Sequence, residues 1–350
     1  MGKYKFCDFY WQQRRNMEIW REPNISTKEW GTQNQPPKPN EKTYKHIVPF
    51  NYWEETLWKG IRENLINYIT DPDNEINAHD GVHNLLSSWI QCANLYYPVK
   101  TIPALKALMV EFLRKYVSDK VDSIEGIELE FAFSENDSLH PKPLLGEPNG
   151  SRGQKQTSPD VAFLVNTRNG NKGIILTENK YTEDHFYGCS TNPDFCKKDR
   201  NPNPDFSRCM KPAKGYDYKA ICHQKNAWHR KYMDLINFSD TAENGLNNCP
   251  AATDGYQLFR QQALAEGIAK SGKYELVVSS VAYDGRNEDL ISCLKSTGVD
   301  DFTKGWEQLF TGKVLFKTWT HQEWVQFVRD NQKNGEFDDW LVYVNERYGY

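Results

Sequence analysis

The sequence predicts an α/β protein of the mixed-sheet, α+β kind: helix, strand, strand, strand, helix and strand in order, with an N-terminal helical extension, one long insertion and a C-terminal extension. Three observations predict it. Apolar residues recur at helical spacing up to about residue 117, alternate at strand spacing between 126 and 180, and return to helical and then strand spacing between 256 and 284. A stretch without periodicity, 181–255, separates the two strand-bearing parts. Eleven Trp, 19 Tyr and 17 Phe among 350 residues can fill an interior, even at a mean hydropathy of −0.78.

The elements follow in chain order. Residues 1–50 are aromatic and polar, and GTQNQPPKPN reads as an extended connector. Leu57, Ile61 and Leu65 recur every four residues, which predicts an amphipathic helix over 52–69. A second helix is expected over 82–97. Pro103 opens a third, running to about Val117, at a first-turn position where its missing N–H costs nothing. GIELEFAF (126–133) then alternates as a half-buried strand should. SPDVAFLVN (158–166) and GIILTENK (173–180) flank Asn169-Gly170, a hairpin-turn dipeptide. After the insertion come a helix over 256–270, a strand over 274–284 and an aromatic tail with one short strand near Val314. The division expected is 1–100 as the extension, 101–284 as the core interrupted at 181–255, and 285–350 as a C-terminal extension packed on the core.

Charge is unevenly placed. Between His185 and Lys231, ten Lys and Arg stand against four Asp; with a chain total of −4, that +6 segment leaves −10 elsewhere. No apolar run approaches the roughly 20 residues that span a bilayer. The start, MGKYKFCDFYWQQRRN, lacks the apolar core of a signal peptide. A cytoplasmic location is therefore expected, where clustered cysteines bind metal more readily than they form disulfides.

The hairpin carries chemistry. Hydrolysis of a phosphodiester needs water activated near neutral pH and relief of charge on the phosphorane, which hard divalent cations held by carboxylates provide. Asp160 opens one strand and Glu178 lies near the end of the other, equidistant from the Asn169-Gly170 turn. Residues so placed in an antiparallel hairpin are cross-strand neighbours. Lys180, two residues on, points to the same side as Glu178, and Asn179 points to the other.

Pro159-Asp160 followed by Glu178-Asn179-Lys180, set in this order of elements, resembles the signature of the PD-(D/E)XK nuclease superfamily and its restriction-endonuclease-like αβββαβ core. The resemblance covers residues 102–180 and 256–284. It implies that Asp160 and Glu178 bind Mg²⁺ and that Lys180 positions the attacking water and offsets transition-state charge. It also suggests an acidic residue on the first core helix, for which Glu111 is the candidate; an i,i+4 pair with Lys115 is the plainer account of that residue. Gln257 half-matches a Gln-x-x-x-Tyr motif that orders the active site in some branches, since Gln261 stands where Tyr is expected. Arg260 and Gln261 either face phosphates or belong to an ordinary helix surface. Glu147 is a further candidate ligand.

Within the insertion, Cys189, Cys196, Cys209 and Cys222 offer four thiolates for a structural Zn²⁺ or an iron–sulfur cluster, although none shows the Cys-x-x-Cys spacing of a zinc knuckle. Lys197, Lys198, Arg200, Arg208, Lys211 and Lys214, interleaved with aromatics, suit contact with a nucleic-acid backbone. The expected activity is therefore Mg²⁺-dependent hydrolysis of DNA by a restriction or defence endonuclease, with RNA left open as substrate. Cleaving both strands with one active site per chain would call for a homodimer. The alternative is a non-catalytic nucleic-acid-binding protein of the same fold, stapled by a cysteine-held metal.

Overall fold

The computed structural model describes residues 6–74, 76, 81–211 and 217–350. Helices α1 (Asp8–Asn24), α2 (Arg62–Thr70), α3 (Ser88–Thr101) and α4 (Pro103–Tyr116) precede the sheet. The expected helix over 52–69 begins instead as a 3₁₀ segment, Phe50–Thr56, before α2. The second begins later than the apolar spacing suggests, because Ser87 caps it by accepting from the Ile90 N–H. Eleven of the fourteen α3 residues are buried, Gln91 and Asn94 among them. Their amides are paired: Gln91 donates to the Tyr350 hydroxyl, and Asn94 to the Thr56 carbonyl and the Tyr348 hydroxyl.

Five strands form one mixed sheet in sequential order: β1 (Val121–Leu129), β2 (Val161–Thr167), β3 (Lys172–Lys180), β4 (Leu276–Tyr283) and β5 (Leu315–Thr320). The β1–β2 and β2–β3 pairs are antiparallel, whereas β3–β4 and β4–β5 are parallel. The second and third strands turn where Asn169-Gly170 predicts, with Gly170 at a φ of 77°. Thr167, Asn169 and Asn171 all donate to the Glu275 carboxylate, which ties that turn to the start of β4. Strand β3 is buried on both faces, as a strand with neighbours on either side and helices above and below should be.

The parallel β3–β4 step requires a crossover, and α5 (Tyr256–Lys270) supplies it over the range the sequence predicts. One face of the sheet packs Phe163, Val165 and Ile175 against α3, α4 and the C-terminal helices α6 (His321–Asn331) and α7 (Asp338–Tyr348). The other packs Ala162, Ile174 and Leu176 against α5 and the insertion, whose short helical turns contribute Tyr232, Met233 and Ile236. The C-terminal segment adds β5 to the sheet and two helices to its first layer. No helix among the described residues is long and apolar enough to cross a membrane.

Candidate active site

Strand pairing decides the site. Val161 faces Thr177 across β2–β3, so one step further places Asp160 opposite Glu178. On the other side Leu129 faces Val161, and beyond it the Glu130 N–H donates to the Asp160 carbonyl at 3.0 Å. Glu130, Asp160 and Glu178 therefore form one row across three adjacent strands, on the same face. All three are buried or nearly so, Glu130 at 6% exposure and Glu178 at 7%. Asn179 turns the other way, donating to the Ser88 carbonyl and to Gln91 on α3, while its backbone N–H holds Asp160 Oδ2 at 2.7 Å.

Three carboxylates in one largely buried row repel one another. Burial, then the charges of Glu178 and Glu130, push the Asp160 carboxyl well above its usual range, although Lys180 and the Asn179 N–H pull the other way. Burial, followed by the Glu178 charge, raises Glu130 to about 8, with Arg152 and the Trp89 indole N–H opposing. Glu130 also sits at a φ of 48°, a left-handed conformation that costs a residue with a long side chain of order 1 kcal/mol or more. Arg152 braces this stretch: its guanidinium donates to the carbonyls of Leu129 and Glu130 and pairs with Glu128.

Lys180 is the counter-charge. Its Nζ donates to Glu178 Oε1 at 3.0 Å and to Gln257 Oε1 at 2.7 Å. It also lies 5.6 Å from the ring centroid of Phe186 and 5.7 Å from that of Tyr187. Burial alone would pull its pKa down, but Glu178, Glu183 and the other negative groups outweigh that and hold it above its usual value. Lys180 is thus a fixed ammonium, not a base. Behind it, His321 bonds the Lys180 carbonyl at 3.0 Å.

Among the described residues Lys180 is the only cation hydrogen-bonded to the row, so the three carboxylates are incompletely compensated. A donor set of hard oxygens with unmatched negative charge fits a divalent cation, for which Asp160 and Glu178 are the two nearest cross-strand ligands. Among the described residues no group of three or more His, Cys, Asp and Glu is arranged to hold a metal ion unaided. Two carboxylates with water and a phosphate completing the shell is how Mg²⁺ is commonly held.

The other sequence candidates separate. Gln257 reaches Lys180 and belongs to the site. Glu111 is exposed on α4 and does not line the cleft, and Lys115 lies over the Tyr116 and Phe327 rings instead of pairing with it. Glu147 is buried but fully engaged: it accepts from Thr157 N, Thr157 Oγ1 and the Tyr232 hydroxyl, and pairs with Arg260 at 3.2 Å. That pairing takes Arg260 too, and Gln261 donates inward to Ser279 and Ser280. Neither is a free phosphate contact.

These residues floor a cleft of about 1230 Å³. Its basic lining comes from Lys155, Arg200, Arg230 and Arg260 as well as Lys180. Of the six basic insertion residues expected to meet nucleic acid, Arg200 alone is on this wall among the described residues. Lys197, Lys198, Arg208 and Lys211 are exposed outside it, and Lys214 lies outside the described residues. Cys196 also lines the cleft, apart from Cys189, Cys209 and Cys222. Sequence reasoning missed Glu130, Lys155 and Arg230. Glu130 was visible as a polar position in GIELEFAF, but only the β1–β2 register places it beside Asp160.

No curated protein and no solved structure matches the chain. A family model does, over residues 14–349: Restriction Endonuclease associating with ARP. The chain belongs to that family.

Proposed function

From that membership and the carboxylate row, we propose that the chain is a Mg²⁺-dependent endonuclease hydrolysing DNA phosphodiester bonds in restriction or defence. The observation that carries this reading is Asp160 opposite Glu178 with the Lys180 ammonium locked beside them. A Mg²⁺ ion held by Asp160 and Glu178 would lower the pKa of bound water and clamp phosphate oxygens. The protein's own groups do the rest. Gln257 and the two aromatic rings fix the Lys180 Nζ, so its N–H bonds are aimed before substrate arrives. As negative charge grows on the phosphorane, Lys180 donates to it without giving up its proton. The Asn179 N–H holds Asp160 in register. Lys155, Arg200 and Arg230 on the cleft wall would pair with backbone phosphates.

The test is nicking of supercoiled plasmid by the full chain with Mg²⁺, against matched single-stranded DNA and RNA. Asp160→Ala and Glu178→Ala are each expected to abolish cleavage, as EDTA should, while leaving DNA binding in place. Cleavage that survives Asp160→Ala would overturn the proposal. Binding without cleavage by the unaltered chain would favour the non-catalytic reading. Sedimentation with a two-site DNA would show whether cleavage of both strands proceeds through a dimer.

A further inference from the structure

The insertion gathers four cysteines, though not the four that sequence spacing groups. Cys189, Cys209, Cys222 and Cys249 line one cavity of about 30 Å³, with Tyr256 and Phe259 of α5 on its wall. A cavity of that size has room for a bound ion. Cys196 faces the active-site cleft instead. None of the cysteines is in a disulfide.

Each of the four sulfurs meets a hydrogen-bond donor. The Cys222 sulfur accepts from the backbone N–H groups of Gln224 and Lys225, and that of Cys249 from the Ala251 N–H. The buried Gln224 amide donates to Cys189 Sγ at 3.0 Å, and the Asn203 amide to Cys209 Sγ at 3.6 Å. A donor at each of four sulfurs is an arrangement that supports metal-bound thiolates once an ion has displaced their protons. His223 borders the cavity, but its Nε2 is on the Asn201 carbonyl. The Cys249 N–H donates to the Cys209 carbonyl, joining two of the segments at the backbone.

We propose that Cys189, Cys209, Cys222 and Cys249 form a tetrathiolate site for one zinc ion, which staples separate segments of the insertion to one another against α5. Binding exchanges four S–H protons for the ion and leaves a site charge of −2, offset by the basic surplus of the same segment. The thiols stand round the cavity and not yet on one coordination point; drawing them inward is the ordering that a structural metal imposes on a chain with little regular structure of its own. The site is closed, with four protein ligands and no open position, and so has a structural and not a catalytic role. The inference does not rest on the nuclease reading.

Elemental analysis of the full chain, purified under reducing conditions, should find one zinc per chain. Cys249→Ser should lose it and Cys196→Ser should keep it, the reverse of what the sequence spacing implies. Cobalt exchanged for zinc in the unaltered chain should show intense thiolate-to-metal charge-transfer absorption of a four-sulfur site. That measurement stands even where Cys249→Ser fails to fold. Zinc below a tenth of an equivalent, equal retention in both variants, an absorption intensity of two thiolates or fewer, or a mass showing two disulfides would overturn the proposal.

Discussion

Replacing Glu130 by Gln tests the carboxylate row without touching its backbone. In the folded chain Glu130 titrates at about 8, against 4.5 when unburied. The folded state binds this proton more tightly than the unfolded state does, so the contribution to stability is intact below pH 4.5 and is lost as pH rises towards 8. At pH 7 the difference is roughly 2.5 pH units, and at about 1.4 kcal/mol per unit the cost is on the order of 3 kcal/mol. Gln has the same shape, carries no proton to lose, and can still accept from the Trp89 indole. Glu130→Gln should therefore be more stable than the unaltered chain by up to ~3 kcal/mol at pH 7, with the two converging near pH 4. Urea unfolding in EDTA across that range measures it. Mg²⁺ should close the gap by stabilising the unaltered chain more, while the variant needs ~10-fold more Mg²⁺ for half-maximal nicking. A stability difference that does not change with pH, or a variant less stable at pH 7, would refute the electrostatic account of the row.

Other residues make separate demands. Gln257→Leu removes a hydrogen bond to a charged group worth about 1.5–3 kcal/mol, so kcat should fall roughly 10- to 100-fold with KM for DNA little changed, and Gln257→Glu, which keeps an acceptor, should recover most of it. Glu147→Ala strands Arg260 and two donors on Thr157, and chemical denaturation should show a loss of about 3–5 kcal/mol, as when one partner of a buried pair is removed; a loss below about 1 kcal/mol would count against that anchoring role. His321, fully buried, is lowered to about 4 from 6.5. Its stabilising contribution is present above pH 6.5 and lost as pH falls towards 4, by up to ~3 kcal/mol. His321→Asn should flatten that acid limb in thermal melts taken between pH 4 and 7.

The hairpin was legible because its information is local. Asn169-Gly170 sets the turn, a period of two sets the faces, and equal distance from the turn pairs Asp160 with Glu178. The same locality gave α5 and the Pro103 helix start. Glu130 was not legible, because some thirty residues of loop separate it from Asp160 and no local rule fixes register across such a gap. Nor was the partner of Lys180: Gln257 lies 77 positions away, and folding back α5 is what brings them within reach. Glu111 fits a pattern on its helix, yet α4 turns it to solvent. Charge counting located a basic segment but not its orientation, so Arg200 reached the cleft while its basic neighbours did not. The cysteines show the same limit. Spacing along the chain grouped Cys196 with Cys189, Cys209 and Cys222, and packing against α5 put Cys249 in its place. The sequence alone determined the pairing of Asp160 with Glu178 and the hairpin that bears it, since short-range pairing needs no knowledge of the rest. Tertiary structure decided the third carboxylate, the lysine's brace and the thiol cluster, because each joins segments whose proximity depends on the whole sheet closing.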